Sequence, residues 1–142
     1  MKKPQHRRAQ QGLTLFELLV VLAILAFLAA LVAPRVIGYL GRAKGDIART
    51  QAANLAASLE LFFLDHERYP TPDEGLAALV AAPTGSTAWR GPYLKDASGL
   101  TDPWGRPYLY EQDPETEEFV VVSLGADGEE GGSGEDEDIR KK

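Results

Sequence analysis

A single carboxylate, Glu17, lies where an acid is least expected in this 142-residue chain. It belongs to residues 13–33, LTLFELLVVLAILAFLAALVA, which hold no other charge, and sixteen consecutive apolar residues follow it. A carboxylate near the middle of a bilayer costs roughly 2.5 kcal/mol or more, so such a group usually has a partner. Cleavage of the chain after Gly12 would create one, because the freed amine of Leu13 is a cation that can pair with Glu17 of a neighbouring chain.

The second group of residues with chemical potential is the C-terminal segment 125–142, which contains seven acids and five glycines. Its composition indicates a solvated, flexible tail. The alternative is a calcium loop, since Ca²⁺ binds about six to eight oxygens from carboxylates and backbone carbonyls, and glycines let a short loop wrap around the ion. The spacing is not that of an EF-hand, so the residues alone leave both interpretations open.

Composition excludes several classes of site. The chain has no cysteine and two histidines, His6 and His66, which excludes disulfides, thiolate zinc sites, cysteine nucleophiles and sites that need several imidazoles. His66 lies between Asp65 and Glu67, a pattern more typical of a solvated helix end than of a catalytic base. With no nucleophile motif and no phosphate-binding glycine loop, we expect no enzymatic activity. The net charge of -6 argues against nucleic-acid binding.

The element that positions Glu17 is predicted to be a membrane-spanning helix over residues 13–34. At about 1.5 Å per residue, its apolar part spans roughly 30 Å, the thickness of a hydrocarbon core. Residues 1–12 carry four basic side chains and no acid, so this end should stay in the cytoplasm and the rest of the chain outside. A cleavable secretory signal or a plain signal anchor would also fit the pattern, but neither explains Glu17.

A helical stalk is predicted over residues 35–66. Apolar residues recur there in steps of three and four, in two series: Val36, Leu40, Ala43 and Ile47, then Ala48, Ala52, Leu55, Leu59 and Phe62. Pro34 and three glycines, Gly38, Gly41 and Gly45, weaken the helix near the membrane. This stretch is either a gentle kink or a place that melts when subunits pack into a fibre.

A small head is predicted over residues 67–124. Thr71 and Glu74 form a capping box that predicts a short helix over 72–82, with Leu76, Leu79 and Val80 facing inward. Two strands, 107–112 and 119–124, are predicted to form an antiparallel hairpin whose apolar side packs on the stalk. We expect the two tryptophans, Trp89 and Trp104, to anchor the core and loops rather than to bind a ligand.

The motif Gly12-Leu13-Thr14-Leu15-Phe16-Glu17 resembles the processing signal of type IV pilins and type II secretion pseudopilins. The resemblance implies that a prepilin peptidase cleaves between Gly12 and Leu13 and N-methylates Leu13, a position that is usually phenylalanine. It also implies that Glu17 and Pro34 act in fibre assembly, since pilin-like proteins carry a proline at the corresponding place.

Three later blocks are similar to the family of major pseudopilins, the G subunits of the type II secretion pseudopilus. They are Tyr69-Pro70-Thr71 with Glu74-Gly75-Leu76, Gly91-Pro92-Tyr93-Leu94-Lys95, and Asp102-Pro103-Trp104-Gly105. The resemblance implies an α+β, pilin-like fold in which a long helix, half transmembrane and half amphipathic, packs on a small antiparallel sheet with a calcium loop.

The same resemblance implies the protein's biology. The expected product is a homopolymeric fibre that drives export of folded proteins across the outer membrane. Its expected partners are minor pseudopilins, prepilin peptidase, an inner-membrane assembly platform and a secretion ATPase. The protein would be single-pass in the inner membrane, with residues 35–142 periplasmic. The alternative is a type IV pilin or minor pseudopilin serving adhesion, motility or DNA uptake.

For the C-terminal segment, the resemblance favours a structural Ca²⁺ site within a loop at 125–139. The pattern Leu124-Gly125-Ala126-Asp127-Gly128, followed by Gly131-Gly132 and Asp138-Ile139, is similar to the calcium loop of major pseudopilins. On that analogy Asp127 and an acid among Asp136, Glu137 and Asp138 supply side-chain oxygens, with Asp136 and Asp138 the expected ligands. The carbonyls of Leu124 and Glu129 would complete much of the shell. Because the chain has no disulfide, a bound ion would be the one cross-link that stabilises a head with a limited core.

Overall fold

The computed structural model describes residues 14–113, 115–116 and 118–142. The predicted cleavage site between Gly12 and Leu13 lies outside the described residues. The chain divides into two compact units, one ending at Gly38 and the other running from Tyr39 to Lys142. The first unit is helical from Leu15 onwards, and the second contains the three-stranded sheet.

One helix, α1, runs from Leu15 to His66 and passes through Pro34 without interruption. The Thr14 hydroxyl accepts a hydrogen bond from the Glu17 amide at 3.2 Å, which caps the first turn. The helix ends where Glu67 adopts the left-handed conformation, with φ 53°, two residues before the Tyr69-Pro70 pair. The predicted end of the stalk near His66 is therefore confirmed.

The core of the second unit is built on one stripe of α1. Its members have no solvent-exposed surface, as the second apolar series predicts: Ala48, Ala52, Leu55, Leu59 and Phe62. They join one cluster with Leu79 of the head and Val121 of the sheet. In the first series, by contrast, Leu40 and Ile47 are 60% and 51% exposed. The first series follows the period of the helix, but its residues are not part of the core.

The predicted helix over 72–82 is wrong in type and length. The structure has instead a 3₁₀ helix, Gly75–Leu79. Gly75 has φ 55°, outside the helical region, which prevents an α-helix from continuing through this position. At the other end, the Leu79 carbonyl accepts hydrogen bonds from the amides of Tyr93 and Leu94, at 2.8 and 3.1 Å, so it is satisfied without a following helical turn. Leu76 and Leu79 are buried as predicted, whereas Val80 is half-buried.

A three-stranded antiparallel sheet completes the head. Its strands are β1, Leu109–Gln112, β2, Phe119–Ser123, and β3, Ile139–Lys141, in the spatial order β1-β2-β3. The predicted β1–β2 hairpin is confirmed, although β1 begins two residues late. Strand β3 was not predicted, so the C-terminal segment ends in the sheet and not in a free tail.

The turn after Pro103 is organised by one buried carboxylate, Asp102, which is 5% exposed. Its Oδ1 accepts hydrogen bonds from the backbone amides of Trp104 and Arg106 at 3.0 and 2.9 Å. Its Oδ2 accepts a hydrogen bond from the Ser123 hydroxyl at 2.7 Å. Asp102 therefore fixes the turn and ties it to the end of β2.

The capping box forms as predicted and is reinforced by an ion pair. The Thr71 amide donates to Glu74 Oε2 at 2.9 Å, and the Glu74 amide donates to the Thr71 hydroxyl at 3.3 Å. The Arg68 guanidinium makes two parallel bonds to the same carboxylate, at 2.7 and 2.9 Å. These bonds from Arg68 lower the pKa of Glu74 from 4.5 to about 2 and outweigh the opposing effect of burial.

This ion pair should make the head sensitive to acid. A carboxyl whose pKa is lower when folded adds stability above its unfolded pKa, and this stability is lost as the pH falls towards the folded pKa. We expect the melting temperature to fall between about pH 5 and pH 2, and less steeply in Glu74→Gln. Thermal melting across this pH range tests this, with the exposed Glu111→Gln as the control. Equal slopes for wild type and Glu74→Gln would contradict it.

Asp102 offers a second test. Asp102→Ala leaves two amides and a hydroxyl without their acceptor in a buried place, where each lost partner costs about 1–3 kcal/mol. We expect a markedly lower melting temperature and faster amide exchange at Trp104 and Arg106. Asp96→Ala is the control, because Asp96 also accepts a backbone amide, from Ser98, but is exposed. Equal destabilisation by the two substitutions would contradict this account.

Candidate assembly helix and calcium loop

The apolar part of α1 is exposed along its length. Phe16, Phe27 and Leu31 are 75%, 71% and 60% exposed, and Glu17 is also exposed. Within the described chain, α1 is long and apolar enough to cross a membrane, and none of its most apolar window is buried. Exposed apolar surface of this extent requires lipid or other helices to cover it. Glu17 and Pro34 both lie on this helix, at positions 3 and 20 of its 52 residues.

The acidic segment forms a compact loop between β2 and β3. The Glu135 carbonyl accepts the Ala126 amide at 2.8 Å, and the Gly131 carbonyl accepts the Asp138 amide at 3.1 Å. The Asp136 backbone lies between two glycines: a Cβ at Gly125 or at Gly132 would come within 2.7 or 2.4 Å of the Asp136 carbonyl oxygen. Both glycines also have positive φ, so the loop closes only with glycine at these positions.

Arg106 contacts the acidic loop at two of its glycines. Its guanidinium donates to the Gly125 carbonyl, and a Cβ at Gly128 would lie 3.0 Å from its Nε and Cζ. Because Asp102 fixes the backbone of Arg106, the turn at Pro103 and the loop are connected through this side chain. In the sequence, Asp102 stands out only as part of a motif that resembles a family, and its role in this turn has no local signal.

The predicted calcium ligands lie in one loop, but their carboxylates do not lie close enough together to form a metal site. Within the described ranges, no three acid or histidine side chains are grouped as a metal site. Asp127, Glu129 and Asp136 are exposed, and Asp127 Oδ1 accepts the Glu129 amide at 3.0 Å. The Leu124 carbonyl accepts the Gly128 amide at 3.1 Å.

Asp138 differs from the other predicted ligands because its side chain is only 13% exposed. Its Oδ2 contacts the Arg140 guanidinium at 3.4 Å. Its Oδ1 is buried and has no hydrogen-bond partner among the described residues. An unpaired buried carboxylate oxygen is costly, and a cation is the partner that would satisfy it. Among the predicted ligands, Asp138 therefore offers an unpaired buried oxygen that a hard cation such as Ca²⁺ would satisfy.

Similarity to known proteins agrees with these features. Residues 35–142 match the family described as type II secretion system (T2SS), protein G, and residues 7–33 match the prokaryotic N-terminal methylation motif. Type II secretion system core protein G of Pseudomonas aeruginosa is 44% identical over 138 residues, covering 94% of this chain and 96% of that protein. The Vibrio cholerae protein of the same name is 40% identical, covering 93% of this chain and 91% of its own length.

A solved structure supports the same assignment. The major pseudopilin from the type 2 secretion system of enterohaemorrhagic Escherichia coli has a TM-score of 0.56 and 28% identity, covering 73% of this chain and 90% of its own. The predicted pilin-like α+β fold is thereby confirmed, and the alternative of a type IV pilin or minor pseudopilin is not favoured. The chain belongs to the protein G family of the type II secretion system.

Proposed function

We propose that this protein is the major structural subunit of a type II secretion pseudopilus and has no enzymatic activity of its own. The observation that carries the proposal is the match of residues 35–142 to the protein G family together with a methylation motif on an exposed apolar helix. The fibre would act mechanically, pushing folded proteins through the outer membrane. Its energy would come from a cytoplasmic secretion ATPase acting through an inner-membrane assembly platform.

Before assembly, the chain would lie in the inner membrane as a single-pass protein with its head in the periplasm. Prepilin peptidase would cleave between Gly12 and Leu13 and methylate the new amine of Leu13. In the fibre, the apolar helices of neighbouring copies would cover one another, with minor pseudopilins as further partners. Glu17 would then pair with the Leu13 amine of the neighbouring copy, which neutralises both charges in an apolar environment and sets the register.

The acidic loop would bind a structural Ca²⁺ ion. Asp138 supports this proposal most directly, because its buried Oδ1 has no partner in the described chain. Exposed acids in the same loop, Asp127, Glu129 and Asp136, can supply further carboxylates, and the Leu124 carbonyl has a second lone pair available. The ion would add binding energy to the folded state of a head whose β3 has only three residues.

The pairing role of Glu17 predicts a specific assembly defect. In Glu17→Ala, the head should fold and the chain should insert, but fibres should be lost because the neighbour's amine has no counter-charge. Thr14→Ala is the control: it removes the cap of the same helix turn but keeps the carboxylate, so fibres should form. Electron microscopy of fibres and circular dichroism of the detergent-solubilised chain measure the two effects. Normal fibres from Glu17→Ala would overturn the proposed role.

The calcium site predicts a metal-dependent stability. In wild-type chain solubilised in detergent, EDTA should lower the melting temperature and added Ca²⁺ should restore it. At a Ca²⁺ concentration of 100 times the dissociation constant, the gain in unfolding free energy is about 2.7 kcal/mol. Asp138→Asn should lose most of this response, whereas Asp73→Asn, an exposed head acid outside the loop, should keep it. The absence of an EDTA effect on wild type would contradict the calcium proposal.

A further inference from the structure

The nearly buried carboxylate of Asp138 has a cationic neighbour within this chain. Arg140 Nη2 lies 3.4 Å from Asp138 Oδ2, whereas Oδ1 of the same carboxylate is buried and has no hydrogen-bond partner among the described residues. The Asp138 side chain is 13% exposed and that of Arg140 is 51% exposed. The pair therefore joins an acid that is almost enclosed to a cation that reaches water.

The backbone keeps the two side chains close together. The Asp138 amide donates to the Gly131 carbonyl at 3.1 Å, which ties this residue to the acidic loop. Arg140 lies in β3 opposite Val122 of β2, and the buried Ile139 between the two residues holds the strand against the core. Because side chains alternate along an extended chain, residues 138 and 140 point to the same side. The sheet thus keeps Arg140 within reach of the carboxylate.

Two other cations near Asp138 do not pair with it. Arg49 and Lys141 line the same cleft between the stalk and β3 as Arg140 does. Arg49 Nη2 lies 3.8 Å from Glu137 Oε2 instead, and Lys141 is exposed and forms no ion pair within the described ranges. In the described chain, the counter-charge of Asp138 therefore comes from Arg140 alone.

We infer that Arg140 is a built-in counter-cation for Asp138, which stabilises the head in the absence of metal and weakens its affinity for Ca²⁺. The first role depends only on the ion pair, and the second rests on the proposed calcium site. A nearly buried carboxylate without a counter-charge is costly, and Arg140 offsets part of this cost.

Two effects of Arg140 oppose the binding of a metal cation at Asp138. Its guanidinium contacts Oδ2, one of the two oxygens that the carboxylate can offer, and Ca²⁺ binds carboxylates through one or both oxygens. Its positive charge also repels a second cation held by the same carboxylate. Because the guanidinium is half exposed, it can turn into water when it leaves Asp138, so its opposition to the metal is modest.

The consequence is a head whose stability depends less steeply on calcium. Without Ca²⁺, Arg140 keeps the charge of Asp138 compensated. With Ca²⁺, the gain in stability is smaller than for a carboxylate without a partner, because the weaker affinity reduces the gain at any given Ca²⁺ concentration. Arg140 thus narrows the difference in stability between the metal-free and the metal-bound head.

Neighbouring residues offer a matched pair of variants for the test. Arg140→Gln and Lys141→Gln each remove one positive charge from the same cleft and leave a polar amide in its place. Only Arg140→Gln removes the contact with Asp138. Long-range effects of the lost charge are common to both variants, so a difference between them reports the ion pair.

Thermal melting of the full chain in detergent with EDTA tests the ion pair without metal. Arg140→Gln should lower the melting temperature by about 2–4 °C, and Lys141→Gln should leave it unchanged. In an Asp138→Asn background, Arg140→Gln should have no further effect, because the carboxylate charge is gone. Equal melting temperatures for Arg140→Gln and Lys141→Gln, or a full effect of Arg140→Gln in the Asp138→Asn background, would overturn the inference.

Calcium titration of the same variants by calorimetry tests the second role. Arg140→Gln should lower the Ca²⁺ dissociation constant about threefold, and Lys141→Gln should change it by less than about 1.5-fold. If wild type binds Ca²⁺ and both variants bind it equally well, the opposing role of Arg140 is wrong. If wild type binds no Ca²⁺ while the melting temperatures differ as expected, the calcium proposal and the second role fail, and the ion pair stands.

Discussion

The head depends on the burial of one stripe of α1 against the second strand of a very small sheet. Leu55, Leu59 and Phe62 are fully buried, and each such side chain contributes roughly 1.5–3 kcal/mol. The sheet supplies Val121 and Phe119 to the same cluster. Three strands of four, five and three residues without a disulfide have little stability by themselves. The stalk therefore forms one side of the hydrophobic core as well as a support for the head.

The position of the acidic loop follows from this core through a short chain of polar contacts. Ser123, at the end of β2, donates to Asp102, and Asp102 accepts the amide of Arg106, whose guanidinium binds the Gly125 carbonyl. Each of these groups is in a place where an unpaired polar atom would be costly, so the contacts are directional constraints. The loop is held at its base by the sheet and by Arg106.

The sequence predicts the elements whose signals are local. The buried stripe of α1 has the helical period, and the capping box at Thr71 and Glu74 has its own hydrogen-bonding pattern. The β1–β2 hairpin has two short runs rich in aromatic and β-branched residues. The helical period of apolar residues does not reveal whether another element covers that face of the helix. Leu40 and Ile47 follow the period and are nevertheless exposed.

The errors arise where distant residues decide the structure. The segment at 75–79 is a 3₁₀ helix in part because amides of Tyr93 and Leu94 bind the Leu79 carbonyl. Strand β3, Ile-Arg-Lys, has too few apolar residues to be recognised, and it is a strand because β2 offers it a free edge. Asp102 has no local signal either, since its role requires Ser123, 21 residues away, to be placed beside it.

The loop shows how a segment with an acidic, disorder-like composition can acquire a defined backbone. Its composition alone favours a solvated tail, because the acids repel one another and few side chains are apolar. Two cross-loop backbone bonds, the tight placement of Asp136 between Gly125 and Gly132, and the Arg106 contact supply what composition lacks. With the backbone closed by these contacts, a cation would need to draw in mainly exposed side chains. Because side chains reorient at a lower entropic cost than a free backbone, such a loop is suited to bind an ion without folding anew.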